Sequence, residues 1–273
     1  MDEPLQPMEP LVWADAFDDP DWQFEIKWDG LRCLAYADGA DVRLYGRRGS
    51  RWTDRFGELR LALGGLEQVL DGELVVLRDG RPSFPAVMRR LHRGEGPVHY
   101  MVFDCLYSRG RDLRREPLVV RQQELLRLPA SPIVHRVEAV DGAGRALYRV
   151  AGASGLEGIV AKRRDAPYES GRSAFWRKIK CWRRIRCLVL GVEEAKGEIR
   201  SVRLGVEQDG VTLAVGAVGG IGKSAQEDLR RALAQGRTFV DVLYLDWTET
   251  GSLRHPRWLG IALDGGGQPG TLA

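Results

Sequence analysis

The chain has 273 residues, of which 44% are hydrophobic and 29% charged, and its 41 basic and 38 acidic side chains leave a net charge of +3. This length allows two domains with a sizeable core, and no apolar run approaches the roughly 18 residues that a membrane helix needs. The acidic, proline-rich start is not that of a signal peptide, and four cysteines without metal-like spacing indicate reduced thiols in a cytoplasmic protein.

Residues 22–180 contain short runs typical of strands, which alternate with helical patterns and predict an α/β domain. The strand-like runs cover residues 24–37, 41–46, 68–77, 98–107, 157–164 and 174–182. The helical patterns cover residues 54–63 and 118–128. We place the end of this first domain at residue 185.

From residue 186 onward the sequence changes to short strands separated by glycine and aspartate turns. One helix is predicted over residues 224–236, with Ser224 as its N-cap and Gly236 as its C-cap. A strand over residues 238–248 and a tail over residues 251–260 follow it. About 85 residues of strands with one helix suit a small five-stranded barrel of the OB type.

Lysine is rare in this chain, with only six among the basic residues, and four of the six lie in strand-like runs. Strand alternation places Glu25, Lys27 and Asp29 on one face of the first run. It likewise places Lys178 and Lys180 on one face of the last run. Taken singly, each run is more typical of an exposed polar stripe on a half-buried sheet. Because a neutral lysine can attack an electrophile and arginine stays protonated, Lys27 is a candidate nucleophile beside two phosphate-binding lysines.

The run "KWDGLR", from Lys27 to Arg32, resembles the K-x-D-G-x-R motif of the covalent nucleotidyltransferases. That family includes ATP-dependent DNA ligases, RNA ligases and mRNA capping enzymes. The other family motifs follow in the expected order, as "YGRRG" with Arg47, "LDGEL" with Glu73, "VFDCL" with Phe103 and Asp104, "LEGIVAK" with Glu157 and Lys162, and "FWRKIK" with Lys178 and Lys180. The runs "MVFDCLY", "EGIVAKRRDAPYESGRS" and "LRHPRWLG" look most like the small bacterial DNA-repair ligases.

The resemblance implies an α/β (α+β) nucleotidyltransferase domain with antiparallel sheets over residues 1–185. An all-β OB-fold barrel is expected to follow over residues 186–273. It also implies three chemical steps. Lys27 attacks the α-phosphate of ATP to form lysyl-AMP, AMP then moves to the 5′-phosphate of a nick, and the 3′-hydroxyl finally displaces AMP.

Roles for individual residues follow from the same resemblance. The expected catalytic residues are Lys27, Lys178, Lys180 and Asp29. The expected ATP and AMP contacts are Glu25 near the base, Phe103 stacked on it, Arg32 and Glu73 at the ribose, Arg47 at the phosphate, and Ile26, Lys27, Glu157, Lys178, Lys180, Arg254 and Arg257. The expected ligands of Mg²⁺ or Mn²⁺ are Asp29, Glu73 and Glu157.

Two places depart from a simple reading of these motifs. Glu157 and Lys162 are an odd number of positions apart, so a regular strand would put them on opposite faces, and only Glu157 is assigned to the site. The family's usual R-x-D-K motif is replaced by "LRHPRWLG", where Arg254 and Arg257 are the substitutes that would contact pyrophosphate. This tail is expected to swing over the cleft, and the second domain is then expected to rotate away about a hinge near residues 184–186.

The resemblance implies nicked duplex DNA as the partner, and arginines clustered at five places punctuated by tryptophan and tyrosine favour a phosphate-backbone partner. No membrane partner is expected. Repair proteins are possible further partners, a monomer is the expected state, and the expected location is the bacterial cytoplasm with the nucleoid. One alternative is an RNA ligase or a GTP-using capping enzyme. The other is an OB-fold nucleic-acid-binding module with an inert nucleotidyltransferase domain.

Overall fold

A computed structural model describes residues 4–248 and 250–262. The described residues up to Cys181 form one compact unit, and those from Trp182 onward form a second. Within these described ranges, no helix has both the length and the apolar character that crossing a membrane requires.

The first unit is built from strands and short helices in alternation. Its strands are β1 (Met8–Val12), β2 (Trp22–Ile26), β3 (Leu31–Gly39), β4 (Asp41–Gly46), β5 (Leu66–Val75), β6 (Leu77–Arg78), β7 (Arg81–Pro82), β8 (His99–Ser108), β9 (Arg111–Asp112), β10 (Val134–Arg136), β11 (Ala139–Asp141), β12 (Gly158–Arg163) and β13 (Gly171–Lys180). Its helices are α1 (Gly57–Leu63), α2 (Phe84–Arg93), α3 (Leu118–Gln123) and α4 (Gly144–Ala153), with 3-10 turns at Thr53–Arg55 and Glu124–Arg127.

Two sheets dominate this unit. The first has the strand order β1-β13-β12-β2-β11, and the second has the order β10-β8-β5-β3-β4 with β9 attached to β8. Most neighbouring strands are antiparallel, as predicted, but β1 runs parallel to β13 and β10 runs parallel to β8. The prediction of an α/β unit with antiparallel sheets is therefore confirmed, and the two parallel pairings lie at the sheet edges.

Three apolar layers hold the sheets in place. Phe56, Leu59 and Val87 belong to a layer that covers the outer face of the second sheet with α1 and α2. A layer including Phe24 and Ile159 packs α4 onto the first sheet. The third layer joins side chains of both sheets, among them Met8, Tyr36, Phe103 and Trp176, so the two sheets face each other across it.

The predicted strand over residues 24–37 is in fact two strands, β2 and β3, joined by a loop at residues 27–30. Gly30 permits this loop, because a Cβ there would lie 2.1 Å from the carbonyl oxygen of Leu74. Lys27 therefore sits in the loop directly after β2. Glu25 is buried rather than exposed, since both faces of β2 are covered.

The second unit is one antiparallel sheet with a helix. Its strands are β14 (Arg183–Ala195), β15 (Glu198–Gln208), β16 (Val211–Gly219), β17 (Phe239–Tyr244), β18 (Asp246–Trp247), β19 (Leu253–Arg254) and β20 (Arg257–Ile261), and its helix is α5 (Lys223–Ala234). Five of the strands form a sheet in the order β16-β15-β14-β17-β20, around an apolar core that includes Val202, Leu204 and Val242. This is the strand-rich unit with one helix that the sequence predicts.

Three local predictions for this unit are corrected. Helix α5 is capped by Gly222 and Gln235, so Ser224 and Gly236 are not its caps. The tail is a structured part of the sheet, because Arg257–Ile261 pairs with β17. Residues 184–186 lie inside β14, where they also pair with β17, so they do not form a separate linker.

Candidate active site

A cavity of about 630 Å³ opens between the two sheets of the first unit. Its walls include Lys27, Arg32, Glu73, Phe103 and Lys178, which come from five different segments. A concave space of this size, with aromatic walls and converging charges, suits a ligand of nucleotide size.

Lys27 lies at this cavity in an ion pair with Glu157. The Lys27 Nζ donates to Oε2 of Glu157, and Oε1 of the same carboxylate lies 3.0 Å from the Nζ of Lys180. Burial alone would raise the pKa of Glu157, but the two ammonium groups outweigh it and hold that pKa below its usual value. Glu157 is therefore an anionic bridge that holds the predicted nucleophile next to a second cation.

Lys178 adds another positive charge. The alternation of β13 directs Trp176 and Lys178 into the cavity wall. Burial, followed by repulsion from Lys27 and Lys180, lowers the pKa of Lys178. Lys27 and Lys178 thus line the cavity, and Lys180 lies next to them at Glu157.

Arg32 is fixed by a carboxylate that the sequence analysis did not assign to the site. Its Nε and Nη2 donate to the two oxygens of Asp71 over 2.5 and 2.6 Å, and the Tyr168 hydroxyl donates to Asp71 Oδ2 over 2.6 Å. The Arg32 guanidinium lies 4.6 Å from the centre of the Phe103 ring. Asp71 lies two positions before Glu73 and so on the same strand face, which could have indicated its place at the site. No pattern in the sequence indicated Tyr168.

Glu73 shares the wall with Arg32. Burial raises the pKa of Glu73 to about 7, against the attraction of Arg32 and Lys27. Gly72, the preceding residue, leaves space for the Tyr100 ring, because a Cβ at this position would lie 2.5 Å from that ring. With this raised pKa, the Glu73 carboxyl changes between its neutral and ionised forms near neutral pH.

Lys162 also reaches the cavity. The odd spacing between Glu157 and Lys162 had predicted that the two side chains lie on opposite faces of a strand. Glu157 lies before β12 begins, and Gly158 has a φ of 152°, so strand alternation does not extend from Glu157 to Lys162. Lys162 is buried, 2.6 Å from Glu25 and 4.1 Å above the centre of the Phe103 ring. It lines the cavity, although the sequence analysis assigned only Glu157 of this motif to the site.

The remaining predicted residues of the first unit have different positions. Ile26 lines the cavity, and Arg47 lies at its exposed edge, where its Nε donates to Glu9 over 2.6 Å. Asp29 lies in the loop after β2. Trp28 also lines the cavity, and its buried Nε1 has no hydrogen-bond partner within residues 4–248 and 250–262, which leaves a donor for a ligand.

The predicted metal ligands do not form a preassembled site. In the part of the chain that the structure describes, no group of three or more His, Cys, Asp or Glu side chains could hold a metal ion. Asp29, Glu73 and Glu157 are therefore not gathered around one point. Mg²⁺ commonly binds one or two carboxylates together with substrate phosphates, and Glu73 and Glu157 suit that arrangement.

Arg254 and Arg257 belong to the second unit. Arg254 ends β19, and Arg257 begins β20 with its guanidinium 4.3 Å from the centre of the Trp182 ring. Both arginines are therefore held on ordered strands.

The comparisons with known proteins agree with these motifs. Residues 12–180 match the family model described as the ATP dependent DNA ligase domain. The chain is 37% identical over 191 residues to the multifunctional non-homologous end joining protein LigD of Pseudomonas aeruginosa, which covers 67% of this chain and 23% of that protein. It is 32% identical over 261 residues to DNA ligase C1 of Mycolicibacterium smegmatis, covering 86% of this chain and 74% of that protein.

A solved structure extends the similarity to both units. Mycobacterial DNA ligase D complexed with ATP and MES matches with a TM-score of 0.63 and 30% identity, covering 96% of each chain. The chain spans 23% and 36% of the length of the first curated relatives. The matched motifs, the cavity and this similarity lead to one conclusion: the chain belongs to the ATP-dependent DNA ligase domain family.

Proposed function

We propose that this chain is an ATP-dependent DNA ligase that seals nicks between a 3′-hydroxyl and a 5′-phosphate in duplex DNA. The observation that carries the proposal is the position of Lys27, in a nucleotide-sized cavity and paired with Glu157 beside Lys180. Family membership and the ATP complex of the mycobacterial ligase support the choice of nucleotide.

In the first step the Lys27 amine attacks the α-phosphate of ATP. A nitrogen–phosphorus bond forms, the bond to pyrophosphate breaks, and the ammonium proton is lost before the attack. Glu157 orients the Lys27 side chain through their ion pair. Lys178, which lines the same cavity, binds the phosphate oxygens as their negative charge grows.

The nucleoside would lie against the wall formed by Arg32, Glu73 and Phe103. Phe103 offers a ring for stacking on adenine. Asp71 holds the Arg32 guanidinium in one orientation through two hydrogen bonds, so Arg32 is preorganised for a ribose hydroxyl. Glu73 lies beside it as a hydrogen-bond acceptor or, when protonated, as a donor.

In the second step the nick's 5′-phosphate attacks the phosphorus of lysyl-AMP, and the nitrogen–phosphorus bond breaks. Arg47 lies at the edge of the cavity as an anion contact for that phosphate. In the third step the 3′-hydroxyl attacks the activated phosphate, a phosphodiester bond forms, and AMP leaves.

Mg²⁺ or Mn²⁺ would be held by Glu73 and Glu157 together with the nucleotide's phosphates, and it would neutralise charge on the phosphate oxygens. The residues fit such an ion, because Glu73 lines the cavity and Glu157 is bonded to Lys27 beside it, so each offers hard oxygen ligands near the predicted nucleophile. Asp29 is proposed to assist from its adjacent loop.

The direct test is mass spectrometry of the purified protein after incubation with ATP and Mg²⁺ or Mn²⁺, followed by sealing assays. We expect the mass of one AMP to be added, and a nicked DNA duplex to be sealed. A GTP adduct with no ATP adduct would instead indicate a capping-type enzyme, and sealing of RNA alone would indicate an RNA ligase. Absence of any nucleotide adduct would favour the other alternative, an OB-fold nucleic-acid-binding module with an inert nucleotidyltransferase domain.

Nick binding is expected to weaken steeply with salt, because exposed arginines such as Arg47, Arg48 and Arg51 border or adjoin the cavity. The logarithm of the binding constant should fall with log salt at roughly −0.9 per phosphate neutralised. Fluorescence anisotropy on a nicked duplex at several salt concentrations measures this slope. Arg48→Ala should reduce its magnitude by about 1, whereas Arg60→Ala, on α1, should not. A nearly flat dependence would contradict an arginine-based clamp.

Arg254 and Arg257 are proposed to bind the leaving pyrophosphate, since a planar guanidinium suits its oxygens. We expect Arg254→Ala/Arg257→Ala to slow self-adenylylation about 10- to 100-fold, the range for one to two charge-assisted contacts. The sealing of a pre-adenylylated nick should change far less. The exposed pair Arg200→Ala/Arg231→Ala is the control in the same unit. Wild-type adenylylation in the first double variant would show that these arginines have no such role.

The wider biological setting is also part of the proposal. Similarity to LigD, a protein named for non-homologous end joining, favours a role in end-joining repair in the bacterial cytoplasm, on DNA of the nucleoid. We propose that the chain acts as a monomer on DNA, alone or with repair proteins. Size-exclusion chromatography with light scattering, with and without nicked DNA, would test this state.

A further inference from the structure

A small network of amides lies directly behind the cavity wall. The Gln122 Nε2 donates to Glu25 Oε1 over 2.9 Å and to the Phe103 carbonyl oxygen over 3.0 Å. The Gln23 Nε2 donates to Glu25 Oε1 over 3.1 Å and to Gln122 Oε1 over 2.7 Å. Two glutamines from β2 and α3 therefore hold one oxygen of Glu25, and one of them also holds the backbone of Phe103.

The other oxygen of Glu25 faces a lysine. Lys162 Nζ lies 2.6 Å from Glu25 Oε2, and both side chains are almost fully buried. Glu25, Lys162 and Phe103 line the main cavity, whereas Gln23 and Gln122 line a smaller cavity of about 240 Å³. Gln122 therefore supports the wall from behind.

We propose that Gln122 is a positioning residue that sets the preference of the site for adenine over guanine, acting through Glu25. This inference rests on the proposed ligase function, in which Phe103 stacks on the base and Glu25 lies near its edge. None of the three chemical steps above requires Gln122, so its effect should be on nucleotide choice rather than on the attack by Lys27.

The chemistry of the two bases explains the preference. Adenine presents an exocyclic amino group, a donor, at the position where guanine presents a carbonyl oxygen, an acceptor. An ionised carboxylate only accepts hydrogen bonds, so a carboxylate that faces this position favours the amino group of adenine over the carbonyl oxygen of guanine. A site built around a hydrogen-bonding group rejects the mismatched ligand strongly, because buried polar groups are then left unpaired.

That discrimination requires Glu25 to remain ionised and fixed. Burial raises the pKa of Glu25, and the attraction of Lys162 and the hydrogen bonds from Lys162 and Gln122 limit that rise. Without the Gln122 amide, the carboxyl group is freer to take up a proton or to rotate. A protonated carboxyl donates a hydrogen bond, which is what the guanine oxygen accepts.

The amide of Gln122 also links two recognition elements. Because it bonds both Glu25 and the Phe103 carbonyl, it fixes the distance between the group at the base edge and the ring at the base face. Lys162 makes a similar link, since its Nζ donates to the Phe103 carbonyl over 3.4 Å. Loss of Gln122 leaves this second link, so the site should survive with altered selectivity.

The test compares Gln122→Met with Gln123→Met. Methionine keeps the length of the side chain and removes its amide, and Gln123 is the exposed next residue of α3. The readout is the ratio of the second-order rate constant for self-nucleotidylation with ATP to that with GTP, measured in a single turnover. We expect wild type to prefer ATP, Gln122→Met to lower the ratio about 10- to 100-fold, the effect of one to two lost hydrogen bonds to a charged group, and Gln123→Met to leave it within about 2-fold.

A second variant, Gln122→Asn, tests the same inference if the Gln122→Met protein does not fold. Gln122→Asn keeps the amide but withdraws it by one methylene group, and the ratio should fall in the same direction. Rescue is tested with Gln122→Lys, which restores a donor and should return the ratio toward the wild-type value. Unchanged ratios in both the Met and Asn variants, or a wild-type enzyme without preference for ATP, would overturn the inference. Absence of any wild-type adduct would instead overturn the proposed function.

Discussion

Lys27→Ala and Lys27→Arg are both expected to abolish formation of the nucleotide adduct and sealing of ordinary nicks. The alanine variant has no nucleophile. The arginine variant keeps the positive charge beside Glu157 but stays protonated, so it cannot attack phosphorus. Intact-mass spectrometry with ATP should show no gain of AMP, which corresponds to a loss of at least about 1,000-fold in rate, as for a removed covalent nucleophile.

The two variants should still seal a nick that already carries AMP, because the third step does not use the lysine. Lys223→Arg, an exposed lysine in the second unit, is the matched control and should behave as wild type. An AMP adduct on the Lys27→Arg protein would show that another residue is the nucleophile. Loss of sealing on pre-adenylylated nicks would show that the substitution damages more than the first step.

Arg121→Met is expected to lower the free energy of unfolding by about 3–5 kcal/mol, the usual cost of leaving one partner of a buried ion pair alone. Arg121 and Asp104 are both completely buried and joined by two hydrogen bonds of 2.8 Å. Arg121 also donates to the carbonyl oxygens of Glu116 and Ala166 over 2.7 and 2.9 Å. Its removal leaves the Asp104 carboxylate and two backbone carbonyl oxygens without these hydrogen bonds. Urea unfolding followed by circular dichroism measures the resulting loss of free energy of unfolding.

Arg90→Met is the comparison for that experiment. Arg90 is also buried and donates to Glu58, but the Glu58 side chain is 39% exposed. Water can solvate Glu58 after the substitution, so we expect a loss of about 1 kcal/mol or less from the ion pair. If both variants lost the same stability, burial of the partner carboxylate would not be the cause. A change in the slope of the unfolding free energy against urea concentration would instead indicate that the substitution alters the unfolded state.

Much of the fold could be predicted because its signals are local. The run 41–46 is β4 with the predicted bounds, and the alternation of β13 placed Trp176 and Lys178 on one wall, as observed. Both signals depend on the period of a strand, which needs only neighbouring residues. The motif order added the positions of Arg32 and Glu73 at the same cavity.

The errors arose where contacts are distant in sequence or where a strand ends. Glu25 and Gln122 are 97 positions apart, so no local pattern indicates their hydrogen bond. Parity failed for Lys162 because β12 begins only at Gly158, after Glu157. The tail was predicted as a mobile segment because its pairing with β17 depends on residues 14 to 21 positions earlier.

The pairing of β1 with β13 has a consequence for the order in which the protein folds. Met8 pairs with Gly171, and its backbone N–H donates to the Tyr168 hydroxyl over 2.9 Å. During synthesis, β1 therefore has no strand partner until about 160 further residues have been made. Such a high contact order slows folding and lengthens the time for which an open sheet edge can meet another chain. The first unit is accordingly expected to complete its fold late, with aggregation of nascent chains as the competing outcome.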